Sequence, residues 1–344
     1  MKNILFMVTK SQNGGAQKWI KEQIEICSND FNCFLATDEN TWLSQNVKVK
    51  NKFLSILIRR RFSFSYLIEL NNFIAKNKID LIVSSSANAG IYSRFIKLLN
   101  KKVKVIYVSH GWSSIYSGGK LTFLYTFIEK QLSKISDSIL CISKKDFENA
   151  KNIIGITDNK LKWITNKIHP INNRRYLKNQ DKTIKILTIA RLEPPKRVDL
   201  LIKASKDLND VELHIVGDGS QKKYLESIKH KNVVFYGEID AFTNFNQFDI
   251  FSLISDSEGL PLSALEAMSS GMPIILSDVG GCFELIDGNG VLVENDIDKI
   301  SKAIKVCILN QKEFSEKSSE IFNEMYNLDF NKQKYIKYYK NIVE

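Results

Sequence analysis

The chain has 344 residues, a formal net charge of +11, 44% hydrophobic residues and 25% charged residues. That composition is ordinary for a globular protein. It excludes disorder, collagen-like repeats and small disulfide scaffolds, and the length accommodates two domains. Five scattered cysteines without a C-x-x-C pair argue against a disulfide framework or a zinc site and for a reducing compartment.

The first apolar run, Ile4 to Val8, is too short for a signal-peptide core or a membrane span and reads as a strand over 3–9. Further strands are predicted over 32–37, 80–85, 103–110 and 138–142, with helices over 15–27, 66–76 and 122–134 between them. A polar, basic, aperiodic stretch over 172–183 reads as a linker. The pattern then restarts, with strands over 184–190, 212–216, 233–236, 250–253 and 273–276. Strands alternating with helical patterns are the signature of stacked βαβ units around a parallel sheet, so two tandem Rossmann-like domains are expected. The last helix, over 331–343, carries Tyr335, Tyr338, Tyr339 and Ile342 at spacings of three and four and therefore needs a partner surface. Charge divides along the same line: residues 1–180 sum to +17 and the remainder to −6. The first half is built to meet something anionic.

The sharpest local feature runs from Ser255 to Met268, S-D-S-E-G-L-P-L-S-A-L-E-A-M. A strand ends just before it, and Pro261 suits the first turn of a helix, where its missing N–H costs nothing. Glu258 and Gly259 thus fall at the carboxyl edge of a sheet, beside a helix N-terminus whose free amides and dipole favour an anion such as a diphosphate. Taken alone, Glu258 could simply complement that dipole and Glu266 could be a solvated helix residue. Other unusual residues collect at the same kind of place: Arg191 and Lys196 after the strand over 184–190, Gly217 and Gly219 after the next, Gly237, then Gly271 and Gly280-Gly281. Open α/β sheets bind ligands at the carboxyl ends of their strands. Asp296-Ile297-Asp298, the only D-x-D, lies just ahead of a helical pattern and suits an N-cap better than a metal.

The ordered set A-R-L-x3-K (Ala190 to Lys196), V-G-D-G (Val216 to Gly219), F-x-G (Phe235 to Gly237) and S-x-x-E-G-x-P-x4-E-A-M-x-x-G-x-P (Ser255 to Pro273) resembles the C-terminal domain of retaining glycosyltransferases of family four. The first half resembles them more thinly, through Gly14-Gly15-Ala16, His110-Gly111, Ile142-Ser143 and Ile164-Thr165-Asn166. The resemblance implies a GT-B fold: an acceptor-binding domain over 1–180, a nucleotide-sugar-binding domain over 181–325, a cleft between them, and a C-terminal helix over 326–344 returning to the first domain.

It also implies roles. Glu258, His110, Lys196 and Arg191 become the catalytic candidates, the two cations gripping the donor diphosphate and His110 meeting the transferred sugar. Gly15, Gly217, Gly237, Gly259, Leu260, Leu262, Ser263 and Glu266 become substrate-binding candidates, Glu266 holding the ribose hydroxyls. A surface ion pair with Glu193 or Asp199 is the competing reading for Arg191 and Lys196. Gln17 and Arg197 depart from the family pattern, which commonly has Glu and Gly there.

The implied partners are a nucleotide-diphospho-sugar, more plausibly of UDP than of GDP, and a glycan or polyprenyl-linked acceptor of surface-polysaccharide synthesis. No cofactor or metal is called for. The expected place is the cytoplasm, with peripheral attachment to an anionic membrane through Arg59-Arg60-Arg61, Phe62 and Phe64 and through Lys97, Lys101, Lys102 and Lys104. A dinucleotide oxidoreductase would need a G-x-G-x-x-G that neither G-G-A-Q nor G-D-G-S supplies. A nucleic-acid binder would explain the positive half but would interleave cations with aromatics along a groove, and no nucleic-acid partner is expected.

Overall fold

The computed structural model describes residues 1–60, 62–112, 115, 122–171 and 183–344. The chain divides into two compact units: unit 1 is 1–166 together with 331–344, and unit 2 is 167–330. The stretch expected to be a linker falls almost wholly on 172–182, outside the described residues.

Unit 1 holds a seven-stranded sheet of β1 (Lys2–Met7), β2 (Phe31–Thr37), β3 (Lys52–Leu54), β4 (Leu81–Ser84), β5 (Lys104–Ser109), β6 (Ser138–Cys141) and β7 (Leu161–Trp163), in the order β3-β2-β1-β4-β5-β6-β7. Every adjacent pair is parallel. β4 and β6 are buried at every residue because helices cover both faces, so their sequences run as continuous apolar stretches instead of alternating. The expected first-half strands are all present. The sequence pattern did not announce the short β3 and β7, each three residues long. Helix Ala87–Leu99, with Tyr92 and Ile96 buried, fills the crossover from β4 to β5.

Unit 2 repeats the plan with six strands: β8 (Ile184–Ile189), β9 (Val211–Val216), β10 (Val233–Gly237), β11 (Ile250–Leu253), β12 (Ile274–Ser277) and β13 (Gly290–Val293), in the order β10-β9-β8-β11-β12-β13. All six are parallel. In both sheets the strand order reverses once, between β1 and β4 and between β8 and β11. Successive crossovers leave in opposite directions at that point, and a crevice opens outside the carboxyl ends of the two strands. Two apolar layers sandwich the second sheet, one built on Phe251, Leu265, Met268 and Tyr326, the other on Leu201, Ile215, Ile250 and Ile304.

The C-terminal helix Leu328–Val343 carries the expected aromatic stripe, and from Asn331 onward it belongs to unit 1. Tyr339 is fully buried, sets its ring edge-on to Phe6 of β1 and donates its hydroxyl to Gln23 Oε1 at 2.9 Å. Tyr338 donates to Ser138 Oγ at 2.8 Å, and Tyr335 donates to the Thr165 carbonyl at 3.4 Å. All four tryptophans, Trp19, Trp42, Trp112 and Trp163, lie in unit 1, so tryptophan fluorescence reads that unit alone. Tyr339→Ala removes a buried ring and should cost unit 1 about 3–5 kcal/mol in fluorescence-detected denaturation. Tyr339→Phe, which loses only a hydrogen bond, should cost about 1 kcal/mol.

Candidate functional site

The strand-order reversal of unit 2 lies between β8 and β11, and the loops that leave those two strands carry Lys196 and Glu258. Their backbones are zipped together. The Arg197 amide donates to the Ile254 carbonyl at 2.9 Å, the Asp256 amide donates to the Pro195 carbonyl at 2.8 Å, and Lys196 and Ser255 form an antiparallel bridge. The Lys196 ammonium donates directly to Glu258 Oε1, with both side chains mostly shielded from water. Two residues 62 apart in sequence therefore meet because a parallel sheet reverses its order between them.

The surrounding loops are shaped by glycines where no other residue fits. Gly280, after β12, has φ +55°, and a Cβ there would lie 1.7 Å from the Glu258 carbonyl oxygen. The neighbouring Gly281 amide donates to the Gly259 carbonyl at 2.9 Å, so the β12 loop closes down on Glu258-Gly259. Gly217, after β9, has φ +141°, and a Cβ there would lie 1.9 Å from the Ala190 carbonyl oxygen. Its amide donates to the Gly237 carbonyl at 2.7 Å, which ties the ends of β9 and β10 together.

Helix Leu262–Ser269 starts directly after this loop. Pro261 occupies the cap position with φ −69° and ψ 120°, one residue earlier than the first-turn place its sequence context suggested. No side chain caps the helix, and the amides of Leu262 and Ser263 precede its first intrahelical acceptor, as in any helix start. Leu260 is buried, Leu262 and Ser263 are half-buried, and Glu266 is half-buried on the second turn of the same helix. Arg191 stands apart: it is 77% exposed and pairs with Glu193 at 2.9 Å, the alternative its sequence context had left open.

Sequence reasoning missed several polar residues behind the pair. Ser277 at the end of β12 accepts from the Ser255 amide at 2.9 Å and donates to Asn295 Oδ1 at 2.6 Å. Asn295, after β13, donates to the Ser255 carbonyl at 3.0 Å and to Asp256 Oδ1 at 2.8 Å. Asp296 caps helix Ile297–Leu309 by accepting from the Lys299 amide at 3.0 Å, the role its D-x-D setting suggested.

In unit 1, Gly15 is exposed at the start of helix Gly15–Cys27, with Gly14 in the cap position and no side-chain cap. His110 follows β5, hydrogen-bonds through Nε2 to Ser85 Oγ after β4, and packs edge-on to Trp19 with centroids 5.3 Å apart. Burial pushes its pKa down to about 4. A neutral imidazole donates from one ring nitrogen and accepts at the other, which suits hydroxyl recognition better than charge.

Three of the cations expected to face a membrane have partners within unit 1. Arg59 bonds the buried carboxylate of Asp38 and also Glu39, at 2.7 and 2.8 Å. Lys97 bonds Asp137 at 3.0 Å and the Val103 carbonyl at 2.9 Å, and Lys104 leans on the same carboxylate. Phe62 packs among Phe64, Tyr92 and Phe95, and Arg61 lies outside the described residues. Exposed apolar side chains lie beside the expected patch, at Phe64, Ile68 and Leu98, and also along helix Thr122–Ile135, through Phe123, Leu124, Tyr125, Phe127 and Ile128. At helical spacing Phe123 and Phe127 share a stripe with Lys130 and Lys134, while Glu129, the helix's one acid, pairs with the buried Arg94 at 3.2 Å. Among the described residues no helix is long and apolar enough to cross a membrane, and no three acidic, histidine or cysteine side chains group as a metal site.

The low pKa of His110 has a testable sign. His110 is the sole histidine of unit 1, the other three being His169, His214 and His230 in unit 2. Between pH 6.5 and about 4 the unfolded chain binds a proton at His110 that the folded chain refuses, so stability is full above this window and falls through it as pH drops. Denaturation midpoints of unit 1, read by tryptophan fluorescence, should decline from pH 6.5 downward. His110→Asn should flatten the upper part of that slope. A slope unchanged by the substitution would mean that the imidazole titrates normally.

Two family patterns match this chain: "Glycosyltransferase Family 4" over residues 22–170 and "Glycosyl transferases group 1" over residues 183–310. The O-antigen biosynthesis glycosyltransferase WbnH of Escherichia coli is 43% identical over 305 residues, covering 87% of this chain and 88% of that protein. The UDP-Gal:alpha-D-GlcNAc-diphosphoundecaprenol alpha-1,3-galactosyltransferase of Escherichia coli is 27% identical over 303 residues, covering 78% of each. Among solved structures, Anabaena Alr3699/HepE in complex with UDP and glucose superposes with a TM-score of 0.82 at 17% identity, covering 99% of this chain and 100% of that one. At that identity the likeness speaks for the fold, a GT-B arrangement of two Rossmann-like domains.

Proposed function

We propose, from the premise that this chain belongs to the family-four glycosyltransferases, that it moves a sugar from a UDP-sugar to a lipid-linked glycan in surface-polysaccharide biosynthesis, with retention of anomeric configuration. The observation that carries the donor assignment is the Lys196–Glu258 pair at the strand-order reversal of unit 2, beside a helix start. A diphosphate draws Lys196 onto its oxygens and is met by the amides of Leu262 and Ser263, where the helix dipole favours negative charge. Arg191 can leave Glu193 for the same diphosphate, because an exposed ion pair holds it only weakly. Released from Lys196, Glu258 accepts hydrogen bonds from sugar hydroxyls, and Glu266 accepts them from the ribose diol. The Gly259 and Leu260 backbone and the Gly217 and Gly237 turns line the donor's approach. Within unit 1 we assign His110 to sugar-hydroxyl recognition and the Gly15 amide to phosphate recognition, both at the carboxyl edge of the same sheet.

Catalysis in this reading is stabilisation of charge. Positive groups accumulate where the diphosphate departs, so the bond to the anomeric carbon breaks towards an oxocarbenium-like sugar. The leaving phosphate oxygen then takes the acceptor hydroxyl proton as that oxygen attacks from the same face. Lys196, Arg191 and the helix start supply the positive charge, and we assign no metal to the reaction. The UDP named with HepE and the diphosphoundecaprenol named with the galactosyltransferase support the choice of donor nucleotide and acceptor class.

Glu258→Gln should lower sugar transfer by orders of magnitude to a small but measurable residual rate, detected as UDP release from UDP-sugars presented beside GDP-, ADP- and TDP-sugars. The same variant should bind UDP more tightly than the wild type by calorimetry, because Lys196 no longer has to leave a carboxylate. EDTA should leave wild-type turnover unchanged. Unaltered turnover in Glu258→Gln would overturn the site assignment, and metal-restored activity after chelation would overturn the metal-free reaction.

A lipid-linked acceptor is met at a membrane surface, and helix Thr122–Ile135 offers an apolar stripe flanked by Lys130 and Lys134 for that purpose. Each cation near an anionic surface contributes about 1 kcal/mol, so a few suffice for reversible docking. The protein should co-sediment with anionic but not zwitterionic vesicles and should be released by about 0.5 M salt. The double variant Phe123→Ser/Phe127→Ser should weaken this binding, whereas Arg59→Glu should weaken it less. Equal binding to both vesicle types would leave the acceptor assignment without a membrane.

A further inference from the structure

Arg197 stands where the family pattern commonly has a glycine, and the structure gives its side chain a definite task. Its guanidinium forms two bonds with Asp199, at 3.0 and 3.1 Å, and a longer one with Asp256 Oδ1 at 3.4 Å. Asp256 Oδ1 also accepts from Asn295, and Asn295 is fixed by Ser277. Strand ends β8, β11, β12 and β13 are thereby tied into one chain of polar contacts, Asp199–Arg197–Asp256–Asn295–Ser277–Ser255. Those contacts join the β8 loop and the β11 loop through residues other than Lys196 and Glu258. The β11 loop is also folded on itself: Ser255 Oγ donates to the Pro195 carbonyl at 3.2 Å and accepts from the Ser257 amide at 3.4 Å.

We propose that Arg197, Asp256 and Asn295 form a clasp that sets where the Glu258 carboxylate sits relative to the Lys196 ammonium, and that they are positioning residues for sugar transfer. The reasoning is geometric. Glu258 comes two residues after Asp256 and Lys196 one residue before Arg197, so any slack between the loops appears directly as displacement between the two reacting-site side chains. The backbone contacts of Lys196 with Ser255 and of Pro195 with Asp256 join the loops, but the two side chains themselves are held to each other by one ion pair, and donor binding in the reading above dissolves it. The clasp stays made when the pair parts, because none of its atoms is offered to the donor. A displacement of about 1 Å is enough to cost a reaction on the order of a hundredfold, so a clasp of this kind is felt in turnover. Arg suits the position because a planar fork can engage one carboxylate bidentately and still reach a second.

The inference rests on Glu258 and Lys196 acting on the donor, and the experiment separates the two claims. Asn295→Ala, Arg197→Gly, Arg197→Lys, Glu258→Gln and the double variant Asn295→Ala/Glu258→Gln are compared by steady-state UDP release from the UDP-sugar that supports turnover, with melting temperatures measured on the same samples. Asn295→Ala and Arg197→Gly should lower kcat about tenfold or more while KM for the donor moves by less than about threefold. Arg197→Lys should recover part of the loss. The double variant should be no slower than Glu258→Gln alone, since a clasp that acts only through Glu258 has nothing left to position. A purely structural role would instead lower the melting temperature and multiply the two losses. Wild-type kcat in Asn295→Ala and Arg197→Gly, or multiplied losses in the double variant, would overturn the clasp while leaving the donor site standing. Full activity in Glu258→Gln would overturn both.

Discussion

Unit 2 depends on one constraint, the reversal of strand order between β8 and β11. A parallel sheet with helices on both faces has no room for a site within itself, since its strands are buried on both sides and every backbone group is paired. Only at the reversal do two neighbouring loops part, and only there can residues from both meet without a helix between them. Lys196 and Glu258 use that place. On either side of it neighbouring strand ends crowd each other, Gly217 after β9 against Ala190 after β8 and Gly280 after β12 against Glu258 after β11. Unit 1 repeats the reversal between β1 and β4, where the hydroxyls of Thr9 and Ser86 meet at 2.7 Å, and His110 comes from the next strand over.

The fold was legible because its signal is repeated. Each buried parallel strand writes a short apolar run, and each crossover helix writes a 3.6-residue period, so tandem Rossmann-like units could be read without any single strand being certain. β3 and β7 escaped because three residues are too few to show either pattern, and β13 escaped because it opens on a glycine and buries only Val293. The candidate site was legible in the loops that leave the carboxyl ends of the strands, where Glu258, Lys196 and Gly217 lie. Ser277 and Asn295 were not. They are small polar residues with no periodicity, 22 and 40 residues beyond Ser255, and they matter only because β12 and β13 lie beside β11.

The partners of the surface charges were hidden for a different reason. Three consecutive arginines look like a basic patch, yet Asp38, buried at the end of β2, captures Arg59 from 21 residues away. A carboxylate with no exposed surface must be compensated by hydrogen bonds or a cation. Asp38 also accepts from the amides of Ser11 and Glu39, and Arg59 completes its shell. Conversely, Phe123, Leu124, Phe127 and Ile128 read as the inward face of a helix, since apolar stripes usually face the core. Here the inward side is taken by Ser133 and by Glu129 reaching buried Arg94, whose guanidinium also lies over the Tyr107 ring at 4.1 Å. Once a buried arginine claims that side of the helix, the apolar stripe is left outside.

The direct contact between Lys196 and Glu258 also has an energetic side. A shielded ammonium or carboxylate alone would carry a large desolvation penalty, and each offsets that penalty for the other. In the proposed reading a sugar nucleotide would bring both substitutes at once, a diphosphate for the lysine and hydroxyl donors for the glutamate. Free UDP would bring only the first and would leave Glu258 without a partner. On that reading the arrangement would discriminate between a complete donor and its product through the residue that UDP leaves unsatisfied. The same logic would require the two loops to be held by other contacts as well, since a pair that opens on donor binding cannot by itself keep its own loops in register.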